Sequence, residues 1–142
     1  MPQQSVPEKL VIKVPKFKPI EISLFSTIAE NCAEVIAQNG RGRTGKLEKN
    51  KSTQLRRFYD EICLWQEKVG SDESKFNDNL PFIHMIAAKV AYAKGRDLVD
   101  DSFLKLIQEG LNQVDSLQTF NTFKTFMEAF MGFYKMHSAE RK

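Results

Sequence analysis

The chain is poor in the side chains from which most catalytic and metal sites are built. Its 142 residues include two cysteines and two histidines, and neither pair has a metal-ligand spacing such as CxxC, HxxxH or HExxH. Cys32 and Cys63 lie on or beside the apolar stripes of predicted helices, which is typical of small buried hydrophobes in a reducing compartment. We therefore expect no metal, no cofactor and no enzymatic activity.

Long apolar runs are also absent from the sequence. No stretch approaches the roughly 18 apolar residues that a membrane-spanning helix needs. The N-terminal region interleaves lysines with apolar residues and has no signal-peptide core. We expect no membrane contact and a cytoplasmic location.

Proline is confined almost entirely to one end of the chain. Four of the five prolines lie within the first 19 residues, where they exclude a helix. The segment LVIKVPKFKP alternates apolar and basic residues, which fits an extended arm or an edge strand, with a frayed tail as the alternative. We therefore predict an N-terminal arm over residues 1–20 and one helical domain over residues 21–142, long enough to bury a core without disulfides.

Beyond residue 20 the apolar residues recur at helical spacing and predict five helices. The third is expected to start at Asn79-Leu80-Pro81, because proline suits the first turn of a helix. The predicted helices are about 21–39, 53–69, 79–95, a shorter one capped by Asp100 or Asp101, and one starting near Ser116. The predicted fold class is an all-α, single compact bundle.

The last predicted helix is the most apolar. Phenylalanine, methionine, leucine and tyrosine cover well over half of its circumference, so it must be surrounded by its own domain or by a partner subunit. An aromatic stripe at this spacing usually belongs to a core, and we favour that interpretation.

Positive charge is concentrated between residues 41 and 57. This segment, RGRTGKLEKNKSTQLRR, carries seven cations and the single anion Glu48. Its first part is a loop in which Gly40, Gly42 and Gly45 would let the chain follow a phosphate backbone closely. Its second part begins a helix, whose free N–H groups also favour phosphate. The pattern predicts a nucleic-acid contact, and the alternative is a solvated surface.

A second cationic cluster follows at the end of the third predicted helix. It contains Lys89, Lys94 and Arg96 together with Tyr92, which either stacks on a base or closes the core. The segment from Asp60 to Asp78, in contrast, holds six acids against two lysines and matches no calcium loop, so we interpret it as a solvated acidic face. His84, at the start of a helix, is interpreted as a structural or surface residue.

Three blocks of the sequence resemble a known family. STQLRRFY at residues 52–59, followed by Ile62, is similar to the signature helix of the small subunit of type III-A CRISPR effector (Csm) complexes. AAKVAYAKGR at 87–96 and the aromatic segment FKTFMEAFMGFYK at 123–135 resemble two further elements of that family, in the same order. Residues 1–20 have no counterpart in the resemblance.

The resemblance implies a non-catalytic subunit of an antiviral and anti-plasmid defence complex. Several copies would stack as a filament along the target-RNA side of the guide RNA–target RNA duplex, beside the backbone subunit and the large subunit, which carry the catalytic activities. An isolated copy could form a homodimer. The residues expected to contact target RNA are Arg41, Arg43, Lys46, Lys49, Lys51, Gln54, Arg56, Arg57, Lys89, Tyr92 and Arg96.

Two other functions are compatible with the residues. One is a standalone helical protein that binds nucleic acid or acts as a scaffold. The other is a metal-independent ribonuclease that would use His84 with a nearby lysine or arginine. Arg56 and Arg57 are adjacent and therefore about 100° apart on a helix, so they cannot both face one line of phosphates.

Overall fold

The structure is a computed structural model that describes residues 8–139. Within this range, five α-helices follow one another along the chain. A π-helical turn, Leu24–Ile28, precedes the first of them. The α-helices are α1 (Ala29–Gly40), α2 (Ser52–Val69), α3 (Glu73–Gly95), α4 (Asp101–Asn112) and α5 (Leu117–His137). The predicted all-α bundle is confirmed.

The helices pack around one core in the order α1, α5, α2, α3 and α4, and α4 returns to α1. The aromatic stripe of α5 lies at the centre, where Phe120, Phe123, Phe126, Phe130 and Tyr134 are fully buried. The interpretation of that stripe as core is therefore confirmed, and the chain itself surrounds α5.

Two of the predicted helix starts are confirmed by their caps. The carboxylate of Asp100 accepts a hydrogen bond from the Phe103 backbone N–H at 3.2 Å and begins α4. Ser116 and Thr119 form a capping box at the start of α5. Asp100 and Ser116 each offer a side-chain oxygen to a backbone N–H group that has no partner within the helix.

The start of α3 was predicted wrongly. The helix begins at Glu73, where Asp72 accepts a hydrogen bond from the Lys75 backbone N–H at 3.1 Å, and Pro81 lies well inside it. Proline leaves the Asn77 carbonyl without its helical donor. Because Asn77 and Pro81 are both exposed, water can satisfy that carbonyl and the helix continues. The strong Asp72 cap outweighs the proline signal.

The described part of the N-terminal arm, residues 8–20, is extended and packs along the bundle without pairing as a strand. Phe17 is buried between Phe123 and Phe126, with ring centroids at 5.7 and 5.5 Å. The Phe17 N–H donates to the Gln113 side chain at 2.7 Å. Over residues 8–20 the extended-arm prediction is confirmed, and the edge strand and the frayed tail are not found; residues 1–7 lie outside the described part.

Candidate nucleic-acid interface

The basic loop between α1 and α2 crosses the C-terminal end of α5. Arg41 fastens it there, because its guanidinium donates to the backbone carbonyls of Gly45 at 2.8 Å, His137 at 2.7 Å and Ala139 at 3.2 Å. A cation suits this position, since the carbonyls at a helix C-terminus carry partial negative charge. Arg41 is only 6% exposed, so it holds the loop in place and does not offer its charge to a ligand.

Close packing of the loop requires glycine at position 40. A Cβ atom on Gly40 would lie 2.3 Å from the Lys49 backbone carbonyl oxygen, whereas one on Gly42 would meet only the movable end of the exposed Glu48 side chain. Gly42 also closes a tight turn by donating to the Lys46 carbonyl at 2.9 Å. This turn exposes Arg43 and Lys46, named here the loop tip, and neither has an ion pair among residues 8–139.

The loop ends at Asn50, which is fully buried and has a left-handed φ of 60°. Its side-chain amide donates to the Ile36 carbonyl at 3.0 Å and to the Asp100 carboxylate at 2.8 Å, and its side-chain oxygen accepts from the Asp100 N–H at 2.9 Å. The Asn50 carbonyl accepts from the Tyr134 hydroxyl. Asn50 therefore fixes where α2 begins relative to α1, α4 and α5.

Burial raises the pKa of Tyr134 well above its ordinary value, and the neighbouring Asp100 carboxylate acts in the same direction. The hydroxyl therefore keeps its proton and remains a donor to Asn50 at any physiological pH.

The N-terminus of α2 carries no side-chain cap, so its first backbone N–H groups are available to an anion. Lys51 is exposed at this point and has no ion pair within residues 8–139. Lys49 lies 3.7 Å from the Asp97 carboxylate in the turn that follows α3. Hence the start of α2 lies beside the end of α3, where the exposed carboxylates of Asp97 and Asp101 offset the charges of Lys49 and Lys94.

α2 and α3 join along one exposed side. The Glu61 carboxylate on α2 accepts from Lys89 on α3 at 2.8 Å and from the Trp65 indole at 3.3 Å. The helices are antiparallel neighbours, so turns that precede Glu61 lie beside turns that follow Lys89. We name the resulting surface the α2–α3 face; it consists of Gln54, Arg57, Lys89, Tyr92 and Arg96.

Tyr92 is the aromatic residue of this face. Its side chain is 69% exposed, so it does not close the core. The Arg96 guanidinium lies over its ring, 5.9 Å from the centroid. An exposed ring beside cations is a usual platform for a nucleic-acid base.

Arg56 points to the other side of α2. It lies 3.4 Å from the Asp60 carboxylate and lines a groove between α2 and α5 together with Tyr59 and Lys135. Arg57 has no ion pair among the described residues. The expectation that these two adjacent arginines diverge agrees with this placement.

Three of the predicted RNA-contact residues are thus paired with acids: Lys49, Arg56 and Lys89. Each pair has at least one well exposed partner, and such pairs contribute only about 0–1 kcal/mol. A phosphate group can therefore compete for these cations. Arg43, Lys46, Lys51, Arg57 and Arg96 have no acidic partner within residues 8–139.

The sequence was compared with known proteins. A family model described as Csm2 Type III-A matches residues 22–140. The chain belongs to the Csm2 type III-A family. It is thus a small subunit of a type III-A CRISPR effector complex, as the resemblance indicated. Neither a curated protein nor a solved structure matches it.

The Csm2 match includes all five helices and both clusters of cations, but it begins after the arm. Within the described residues, no helix is long and apolar enough to cross a membrane. In the same range, no three His, Cys, Asp or Glu side chains come close enough to hold a metal ion.

The histidines of this Csm2 chain have structural contacts. The His84 ring nitrogen Nε2 lies 2.9 Å from the Val114 carbonyl and so links α3 to the loop after α4. His137 lies 3.1 Å from the Glu30 carboxylate. Cys32 is buried, and burial raises the pKa of its thiol to about 11. Cys63 is partly buried and also a free thiol.

Sequence reasoning did not single out two residues that shape the interface. Asn50 has no signature beyond the tolerance of asparagine for positive φ, and its partners come from distant parts of the chain. Lys135 lies on the exposed side of an otherwise apolar helix, where its contribution to the α2–α5 groove depends on the packing of α5 against α2.

Proposed function

We propose that this Csm2 subunit holds target RNA along its α2–α3 face. The observation that carries the proposal is the alignment of cations from two helices with an exposed tyrosine, next to an uncapped helix N-terminus. Arg57, Lys89 and Arg96 would bind phosphates, and Tyr92 would stack on a base. Gln54 adds a neutral hydrogen-bonding group to the same surface.

The proposed contact does not read sequence. Side chains that bind phosphates fix the position of a strand but do not distinguish bases, and pairing to the guide RNA would supply the specificity. Lys49 and Lys51 would extend the line of phosphate contacts toward the start of α2. Arg56 would bind a phosphate at the α2–α5 groove. Arg41 is not among the proposed phosphate contacts, because its guanidinium already donates to three backbone carbonyls.

We further propose that the subunit is non-catalytic and acts by repetition in the cytoplasm. Copies would stack as a filament beside the backbone and large subunits, along the target strand of the guide RNA–target RNA duplex. One copy would bind RNA weakly, and the row would gain affinity because each bound copy raises the effective concentration of the next contact. A copy isolated from the complex would instead form a homodimer.

The test is the salt dependence of RNA binding, measured by fluorescence anisotropy with single-stranded RNA. Of the six cations named above, about four in contact with phosphates at one time predict a slope of log K against log salt near −3. Arg57→Ala, Lys89→Ala or Arg96→Ala should each make the slope less negative by about 0.7. Lys75→Ala, at the other end of α3, is the matched control and should leave it unchanged. A slope near zero for the assembled complex would refute phosphate contact as the main role.

Two controls address the other candidate functions. Preference for duplex DNA over single-stranded RNA at one salt concentration would favour a standalone DNA-binding protein. Cleavage of labelled RNA that disappears in the His84→Ala variant would favour a ribonuclease. His84 already contacts the Val114 carbonyl, which favours its structural interpretation.

A further inference from the structure

An exposed aromatic ring continues the line of the α2–α3 face toward the start of α3. Residues at intervals of three and four share one side of a helix and form a stripe along it. On α3 this stripe consists of Phe82, Met85, Lys89, Tyr92 and Arg96. The Phe82 side chain is 52% exposed and Met85 is 51% exposed. Large apolar side chains that are grouped on a surface in this way are typical of a binding site.

Trp65 on α2 holds the Phe82 ring in place. The two rings are nearly parallel, with an interplanar angle of 9° and centroids 6.2 Å apart. The Trp65 indole N–H donates to the Glu61 carboxylate at 3.3 Å, and the Lys68 ammonium lies 4.7 Å from the centroid of the indole ring. We name these two rings the aromatic pair. Because the pair is fixed before any ligand arrives, a ligand that stacks on Phe82 has little side-chain freedom to remove.

A single carboxylate connects the aromatic pair to the cations of the α2–α3 face. Oxygen Oε2 of Glu61 accepts both from the Trp65 indole and from the Lys89 ammonium, the latter at 2.8 Å. Lys89 follows Phe82 by seven residues of α3, which is about 10 Å along the helix axis. A strand with a phosphate at Lys89 would therefore have its neighbouring nucleotides close to the pair.

The surroundings of the aromatic pair favour a base over a phosphate. Lys68 and Lys89 lie near it, but Glu61 and the exposed Asp78, one helical turn before Phe82, offset their charge. A phosphate would gain little attraction from this nearly neutral surface. A base has no net charge and can stack on an aromatic ring whatever its sequence.

We infer that the aromatic pair is a second stacking site, which takes an unpaired base of the bound RNA on Phe82. Tyr92 lies ten residues further along α3, about 15 Å away along the axis. This is several times the rise of about 3.4 Å per nucleotide of a stacked strand, so the two rings would hold bases that are not adjacent. The inference rests on the proposed function and extends it, since it sets the path of the strand along α3.

The test uses the fluorescence of Trp65, the one tryptophan of the chain, at about 50 mM salt, where charge interactions are weakly screened. Single-stranded RNA should shield Trp65 of the full chain from quenching by acrylamide. An abasic strand of the same length keeps the phosphates and should give no shielding. Phe82→Ala should bind the RNA at least about fivefold more weakly, whereas Phe82→Tyr keeps a ring and should bind as wild type does.

The salt dependence distinguishes stacking from phosphate contact. Phe82→Ala should lower the affinity by the same factor at every salt concentration, because it removes no phosphate contact, whereas Arg57→Ala should make the slope less negative. Phe82→Ala should also bind the abasic strand as tightly as wild type. Ile22→Ala is the matched control, since it removes a fully exposed apolar side chain before α1, and it should leave RNA affinity unchanged.

Wild-type affinity of Phe82→Ala, with weaker binding by Arg57→Ala and Lys89→Ala, would refute this inference and leave the proposed function intact. The opposite result would retain the stacking site and refute the phosphate contacts. An equal loss for RNA and for the abasic strand would show that Phe82 does not hold a base. Protection of Phe82 from hydroxyl radicals in the assembled complex before RNA is added would assign the pair to a neighbouring protein. Wild type that binds no RNA at about 1 mM strand would overturn both proposals.

Discussion

Replacing Asn50 should substantially weaken the fold that presents the basic surface. Asn50 is fully buried, and its side chain makes three hydrogen bonds, to Ile36 and twice to Asp100. It also has a φ of 60°, which alanine adopts only with strain. Asn50→Ala removes the bonds and keeps the strain.

The magnitude follows from these contributions. Three buried hydrogen bonds at about 1 kcal/mol each give about 3 kcal/mol. The left-handed conformation adds about 1 kcal/mol for alanine but nothing for glycine. We therefore expect Asn50→Ala to lower the free energy of unfolding by about 4 kcal/mol and Asn50→Gly by about 3 kcal/mol, a large part of the 5–15 kcal/mol typical of a domain.

The assay is equilibrium unfolding in urea, with the free energy of unfolding obtained from the midpoint and the slope. Comparing the two variants isolates the backbone contribution, since they lose the same side-chain contacts. The reasoning fails if Asn50→Ala costs less than about 1.5 kcal/mol, roughly one buried hydrogen bond, or if glycine is no better than alanine.

Three further predictions concern the core and its titratable groups. Phe17→Ala should lower the free energy of unfolding in urea by about 3–5 kcal/mol, because the arm inserts this ring between Phe123 and Phe126. A loss below about 1 kcal/mol, as small as that of an Ile→Val change in a core, would mean that the arm is not part of the core. The folded-state pKa of Tyr134 is raised above its ordinary value of 10.0, so its contribution to stability is complete below that pH and is lost as pH rises further. Wild type should then lose more stability than Tyr134→Phe between pH 8 and pH 11, and parallel losses would contradict this. With a pKa of about 11 and a buried position, Cys32 should resist iodoacetamide at pH 8 while Cys63 reacts; mass spectrometry would show the reverse order if the burial is misassigned.

Most of the fold was predictable because its signals are local. The apolar faces of α1, α2, α4 and α5 recur at helical spacing, and Ser116 and Asp100 cap their helices with atoms a few residues away. The start of α3 was not predictable from Pro81 alone, since the outcome depended on whether the orphaned carbonyl faces water. The burial of Phe17 depended on rings more than a hundred residues later.

The candidate site was predictable in part. The cations of α2 and α3 were identified from sequence, and the structure brings Arg57, Lys89 and Arg96 together through antiparallel packing. Arg41 could not be distinguished from its neighbours by sequence, because the carbonyls that bind it belong to residues 137 and 139. Charge in a loop shows that an anion is attracted, but long-range contacts decide which cations remain available.

Lysine footprinting of the assembled complex, with and without target RNA, tests the central claim most directly. Acetylation rates at each lysine would be compared by mass spectrometry. Binding of target RNA should protect Lys89 and Lys51, while Lys75, in the first turn of α3, should react at the same rate in both states. Unchanged reactivity of Lys89 and Lys51, with the complex shown to hold the RNA, would contradict the account.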